Sequence, residues 1–139
     1  MQAMERFVQG DQFARHLGIE LVEWGEGRAI TRLVIQPQHL NAVGLVHGGA
    51  IFSLADLAFA VASNSHGSSA LAANANIAFV KAGREGTLTA EATEVALGSR
   101  LATYRVDVRD DAGDLVAAFQ GTVYRSQRPL PTDEGAAAD

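Results

Sequence analysis

The chain has 139 residues, of which 47% are hydrophobic and 19% charged, with a formal net charge of -5 at pH 7. That length suits one domain with an ordinary core, and that composition excludes a disordered or collagen-like chain. The acidic balance gives no general pull toward nucleic acid or anionic membranes, and the absence of cysteine excludes disulfides, thiolate catalysis and zinc–thiolate sites.

The opening stretch "MQAMERFVQGDQFARHLG" lacks the apolar centre of a signal peptide. Residues 1–16 read as a short amphipathic helix, with Phe7, Phe13, Ala14 and Leu17 as its apolar contacts. From Ile19 the period changes to two, and "IELVEWGEGRAITRLVI" predicts two strands joined by a turn at Gly25-Glu26-Gly27. "QPQHLNAVGLVHGG" is a connecting loop, and Gly49 to about Asn64 is the one long helix, with Gly67 as a left-handed cap or turn position. Four strand-like runs follow: "SALAANANIAFVK", "GTLTAEATEVAL", "RLATYRVDVRD" and "LVAAFQGTVYRS", separated by hairpin-like turns. Residues 1–127 thus read as a single domain, and residues 128–139, the end of "SQRPLPTDEGAAAD", as a disordered tail. Ser53 and Asp56 interrupt the one run that approaches a membrane span, so the expected compartment is the cytoplasm. The order of elements is α+β. A helix apolar over most of its circumference must be wrapped by a curved sheet or shared with a second chain.

That helix carries the chemistry. Between Ala50 and Ala62 its only polar residues are Ser53 and Asp56. At about 100° per residue, Gly49, Ser53, Asp56, Ala60, Ser63 and Asn64 share one narrow stripe, while Ile51, Phe52, Leu54, Leu57, Phe59 and Val61 cover the rest. A lone carboxylate there is either hydrogen-bonded to structure at a helix contact or free for chemistry. The helix begins at His47-Gly48-Gly49, where unobstructed N–H groups and the positive end of the dipole form a site for an anion or a developing oxyanion. The alternative is that the glycines only permit a tight turn. Gly48 and Asp56 lie eight residues apart, about 12 Å along a helix. Reacting atoms must come within about 3–3.5 Å. If both groups act on one substrate, the acid comes from a second copy of the helix across a two-fold axis, which gives a dimer with two interfacial sites.

Asn41, His47-Gly48-Gly49 and Ser53-Leu54-Ala55-Asp56, in "HLNAVGLVHGGAIFSLADLAFAVASNSHG", together resemble the PaaI-type acyl-CoA thioesterases of the hot-dog superfamily. The resemblance continues through "IAFVKAGREGTLTAEA" and the later strands. It implies a long helix wrapped in a curved antiparallel sheet, a homodimer as the minimal active unit and pairing of dimers into a homotetramer. It implies Asp56 as nucleophile or general base, the Gly48 N–H as polariser of the carbonyl with Gly49 in support, Asn41 as an amide beside the reacting group and His47 as a positioning group. Where some relatives place a Ser or Thr on the strand after the helix, this chain has Ala72, with Asn74 and Asn76 as polar substitutes. Ala60 stands where another subgroup uses Thr. Ser53 completes the expected substrate contacts on the helix. Lys81 and Arg84, with Arg125 and Arg128, are the cations available to CoA phosphates, and Leu40, Val43, Phe52 and Phe59 are expected to shape the acyl pocket. The implied reaction is hydrolysis of an acyl-CoA, aryl-acyl esters of phenylacetate degradation included, with no cofactor beyond the CoA of the substrate and no nucleic-acid or membrane partner.

Other chemistries fit less well. Ser53 lies mid-helix without a G-x-S-x-G elbow. His16, His39, His47 and His66 match no compact metal-ligand spacing. A hot-dog hydratase or dehydratase and a non-catalytic acyl-CoA sensor are the remaining rivals, and the retained Asp56 counts against the sensor.

Overall fold

The N-terminal segment breaks at Gly10-Asp11 into two helices, α1 (Ala3–Gln9) and α2 (Gln12–Leu17), where one was expected. Asp11 causes the break: its Oδ1 accepts the Ala14 N–H at 3.0 Å, which is N-cap geometry that starts a new helix. Ala14 is buried and Phe7 and Leu17 pack partly against the core, but Phe13 is 63% exposed, against expectation. These coordinates come from a computed structural model that describes residues 2–130.

The expected hairpin follows as β1 (Glu20–Gly25) and β2 (Arg28–Val34). After a 3-10 turn at Pro37–His39 comes the long helix α3 (Gly48–Ser63). The four later runs are β3 (Ser68–Phe79), β4 (Thr87–Leu97), β5 (Leu101–Arg109) and β6 (Leu115–Pro129). All six strands join one antiparallel sheet in the order β1-β2-β4-β5-β6-β3. Register shifts at Leu21/Glu23, Ala72/Asn74 and Glu94/Ala96 let it bend around α3. The tail begins later than expected. Residues 126–129 belong to β6 because Pro129 lies opposite Ser68 and the Ser126 hydroxyl donates to the Ser69 carbonyl at 2.8 Å. The rest of the expected tail, residues 131–139, lies outside the described residues.

Strand alternation sends Leu33, Leu88, Val106, Val108, Val116, Phe119 and Val123 inward onto Ile51, Leu54, Leu57, Phe59 and Val61 of α3. Phe59 stands at the centre, 5.4 Å from Phe119 and 5.9 Å from Tyr104 between ring centroids. Gly121 makes this packing possible, since a Cβ there would fall 2.7 Å from Phe59 Cζ. The buried Thr31 hydroxyl donates to the Leu54 carbonyl at 3.0 Å, which ties the middle of α3 to β2.

The polar stripe on α3 is shorter than its sequence suggests. Asp56 and Gly49 are exposed and Ser53 and Ala60 half-buried, but Ser63 and Asn64 are buried. The last turn passes under the sheet, where Asn64 Nδ2 donates to the Ala60 carbonyl and Asn64 Oδ1 accepts the Ala70 N–H. Asn64 caps the helix, and Gly67, with φ of 87°, serves the turn into β3.

Candidate active site

The loop before α3 is shaped by Asn41. Its Oδ1 accepts the N–H groups of Val43 (3.0 Å) and Leu45 (3.1 Å), and its own N–H donates to the Leu45 carbonyl. Asn41 Nδ2 donates no hydrogen bond among the described residues. The loop is pinned by Val46 N–H to the Gly83 carbonyl and by His47 N–H to the His39 carbonyl. His39 is buried and structural: Nδ1 accepts the Gln36 N–H, so Nε2 carries the proton and donates to the Leu17 carbonyl.

His47 is the N-cap of α3. Its Nδ1 accepts the Gly49 N–H at 2.8 Å, which puts the ring proton on Nε2. Ala50 and Ile51 donate to the His47 carbonyl. Among the described residues, that leaves the Gly48 N–H as the first-turn donor without a partner. It opens on a cleft of about 400 Å³ lined by Asn41, Leu45, Val46, Ile51, Phe79 and Val80 among others. The cleft thus joins Asn41 and Gly48 but not Asp56, which lies two turns further along the same helix. Gly49 has its N–H committed to His47, and the Ser53 hydroxyl donates to the Gly49 carbonyl at 2.7 Å.

Asp56 accepts no hydrogen bond and joins no ion pair among the described residues, so the purely structural reading of this carboxylate lacks a partner. Its carboxylate reaches solvent in the single protomer. The surrounding protein still desolvates it enough to push its pKa up, and the Asp11 carboxylate pushes it further. Asp11 carried no functional signal in the sequence, because α2 and α3 become neighbours only when the chain folds.

The remaining expected contacts separate. Asn74 and Asn76 lie opposite Thr122 and Gln120, and strand alternation turns this set away from α3, since the intervening Gly121 and Phe119 face the core. Within one protomer they do not reach the cleft. Lys81 lines the cleft, but its ammonium bonds Asp110 and Asp114 at 2.7 Å each, which push its pKa up to about 12 and hold it in ion pairs. Arg84, two residues past the cleft-lining Ala82, has no ion pair among the described residues. Arg125 donates to the Gly98 carbonyl at the opposite end of the sheet. None of the residues expected to shape the acyl pocket lines this cleft. Phe59 is buried in the core, Phe52 stacks edge-on against Phe119, and Val43 stands exposed at the loop tip. Leu45, Val46, Ile51, Phe79 and Val80 form the walls instead.

Residues 43–117 match the family model of the thioesterase superfamily. The acyl-coenzyme A thioesterase PaaI of Escherichia coli is 37% identical over 89% of this chain and 89% of its own length. The solved structure of the E. coli PaaI protein from the phenylacetic acid degradation operon superposes with a TM-score of 0.88 at 34% identity, covering 93% of this chain and 96% of that one. The structure of a mutant of the phenylacetic acid degradation protein PaaI from Thermus thermophilus gives a TM-score of 0.80 at 39% identity, over 84% of this chain and all of that one.

Proposed function

This chain belongs to the thioesterase superfamily and has its hot-dog fold, and from that membership we propose that it hydrolyses aryl-acyl-CoA thioesters at two sites shared across a homodimer. Thioester hydrolysis follows from the family. The acyl group, the residue roles and the assembly are the proposal. Phenylacetyl-CoA and hydroxyphenylacetyl-CoA are the first candidates, supported by relatives from phenylacetic acid degradation and by the apolar cleft walls Leu45, Val46, Ile51 and Phe79.

The observation that carries the reading is the division of α3 into two halves. Its start holds one uncommitted N–H on an apolar cleft, and its middle holds one uncommitted carboxylate with a raised pKa. The thioester carbonyl oxygen accepts the Gly48 N–H of one protomer, with the helix dipole behind it. Asp56 of the other protomer either attacks the carbonyl carbon, expelling the CoA thiolate to leave a mixed anhydride that water hydrolyses to free acid and Asp56 while the thiolate takes up a proton, or takes a proton from an attacking water. In the second form the water oxygen bonds the carbon, the C–S bond breaks and the proton passes through Asp56 to the leaving thiolate. Asn41 Nδ2 orients the carbonyl or the nucleophile, and His47 holds the helix start. A thioester has a good leaving group, so these groups suffice without a cofactor beyond CoA itself.

The free edge of β3 supports the assembly. Residues 71–76 and 78–79 of this strand are exposed, and an unpaired edge of that length is a template for a second copy. Pairing of such dimers into tetramers and a cytoplasmic location complete the proposal. No helix of the described residues is long and apolar enough to cross a membrane.

Release of free thiol from a panel of aryl-acyl and fatty acyl-CoAs tests this. Wild-type protein is expected to turn over the aryl esters fastest, and Asp56→Ala and Asp56→Asn to lose about 10²-fold or more. Equal rates in mutant and wild type would sink the mechanism. Tight acyl-CoA binding without hydrolysis would mark a sensor.

A further inference from the structure

We propose that Phe79 is a positioning residue for the thioester carbonyl: the tip of its ring shields the Gly48 N–H from water and keeps one side of that donor apolar. The inference rests on the thioesterase reading above. A Cβ built on Gly48 would lie 3.1 Å from Phe79 Cζ and 3.5 and 3.6 Å from Cε1 and Cε2, so the end of the ring abuts the residue that carries the free donor. The base of the ring is anchored. Phe79 pairs with Ala117 in β6, and the next two N–H groups, of Val80 and Lys81, both donate to the Val116 carbonyl.

Core packing does not account for this ring. The aromatic cluster of the core comprises Phe52, Phe59, Tyr104 and Phe119, and Phe79 makes no ring contact with any of them. It remains 53% exposed, on the wall of the same cleft as Gly48, Asn41 and Ile51. In the single protomer half of a large apolar side chain thus lies outside the core, with its tip against Gly48. Such a wall has a chemical use. Water bound to the Gly48 N–H competes with the carbonyl oxygen, and an N–H···O⁻ bond strengthens as the local dielectric falls. The ring tip fills the Cβ side of Gly48, the space a side chain at position 48 would take.

Phe79→Ala is expected to lower kcat about tenfold for phenylacetyl-CoA and butyryl-CoA alike, because it weakens the donor shared by every acyl group. The Kd of a non-hydrolysable thioether analogue of acyl-CoA, which has no carbonyl at that place, is expected to stay within about threefold. Phe79→Leu restores kcat to within about threefold, since apolar bulk rather than aromatic character does the shielding. Gly48→Ala keeps the N–H but its methyl displaces the ring, so it is expected to lose about as much kcat as Phe79→Ala. The double variant Gly48→Ala/Phe79→Ala should lose no more than either single one, because both act through one contact. An unchanged kcat with a raised KM in Phe79→Ala, or additive losses in the double variant, overturns the inference. If Phe79→Ala does not fold, Gly48→Ala decides the matter: full kcat there overturns it. Failure of the thioesterase reading looks different, with no hydrolysis by wild-type protein or full activity in Asp56→Asn.

Discussion

Asp56 holds its raised pKa at a cost in stability. Burial and the Asp11 carboxylate both raise its pKa, and no hydrogen bond among the described residues offsets them. A carboxyl whose pKa is higher in the folded than in the unfolded chain favours folding while protonated, and that gain disappears as pH rises through the folded value. Asp56→Asn is therefore expected to raise Tm at pH 7 while abolishing activity, with the Tm difference closing on acidification. Thermal melts across pH measure this, and an equal or lower Tm at pH 7 would contradict it. The proposed chemistry needs the ionised form, so kcat/KM should fall on acidification through a midpoint above the usual carboxylate range. Asp11→Asn should move that midpoint to lower pH, because it removes the like charge while Asn still caps α2.

At the scale of elements, both ends of α3 are clasped by side chains, which keeps Gly48 and Asp56 in place. His47 closes the start. At the far end the Ser65 hydroxyl accepts the Gly27 N–H at 2.7 Å, and Glu94 Oε2 accepts His66 Nε2 (2.6 Å) and the Tyr104 hydroxyl (2.7 Å). His66 Nδ1 also lies 3.4 Å from Glu26 Oε1 in the β1–β2 turn. Burial by itself would raise the Glu94 pKa, but the hydrogen bonds from His66 and Tyr104 outweigh it and hold the carboxyl below its usual value. Burial, followed by Glu94, pushes the Tyr104 hydroxyl up. Here the sign is opposite to that at Asp56: the ionised, bonded carboxylate favours folding, and the benefit is lost as pH falls through the lowered folded value. Glu94→Gln is expected to cost about 1.5–3 kcal/mol at pH 7, with the difference shrinking in acid. Urea unfolding at both pH values reads this, and an unchanged midpoint at pH 7 would rule the clasp out as a stabilising unit.

At the scale of the whole molecule, the distance along α3 makes subunit exchange decisive. Gly48→Pro removes the proposed donor, and proline is tolerated at the first position of a helix, after a residue that is already extended. Gly48→Pro and Asp56→Asn are each expected to lose about 10²-fold or more in kcat. After mixing and exchange, half of the dimers combine the two variants, and one site in each has both groups intact. Activity should then recover to about a quarter of wild type. No recovery, with exchange verified by mass spectrometry, would place both groups in one protomer and refute the shared site.

Much of this molecule is legible along the chain. Change of period marked the strands, the lone acid marked the helix stripe, and His47-Gly48-Gly49 marked the helix start, because those signals depend on neighbours within a few residues. Asp11 shows where local reading stops: the Gly10-Asp11 break and the cap on Ala14 are local facts, but the repulsion of Asp56 exists only once α2 packs beside α3. The sequence marks Asn74 and Asn76 as polar strand residues, but only strand pairing turns them away from α3 within one protomer, and only the fold brings Asp110 and Asp114 to Lys81. Phe79 read as one more apolar strand residue, and only the approach of β3 to the start of α3 put its ring on Gly48. The sequence by itself determined the elements and singled out the candidate donor and acid, through short-range periodicity and capping. The tertiary structure alone decided which charges remain uncompensated and which apolar side chains wall the cleft, since both depend on contacts between segments far apart in the chain.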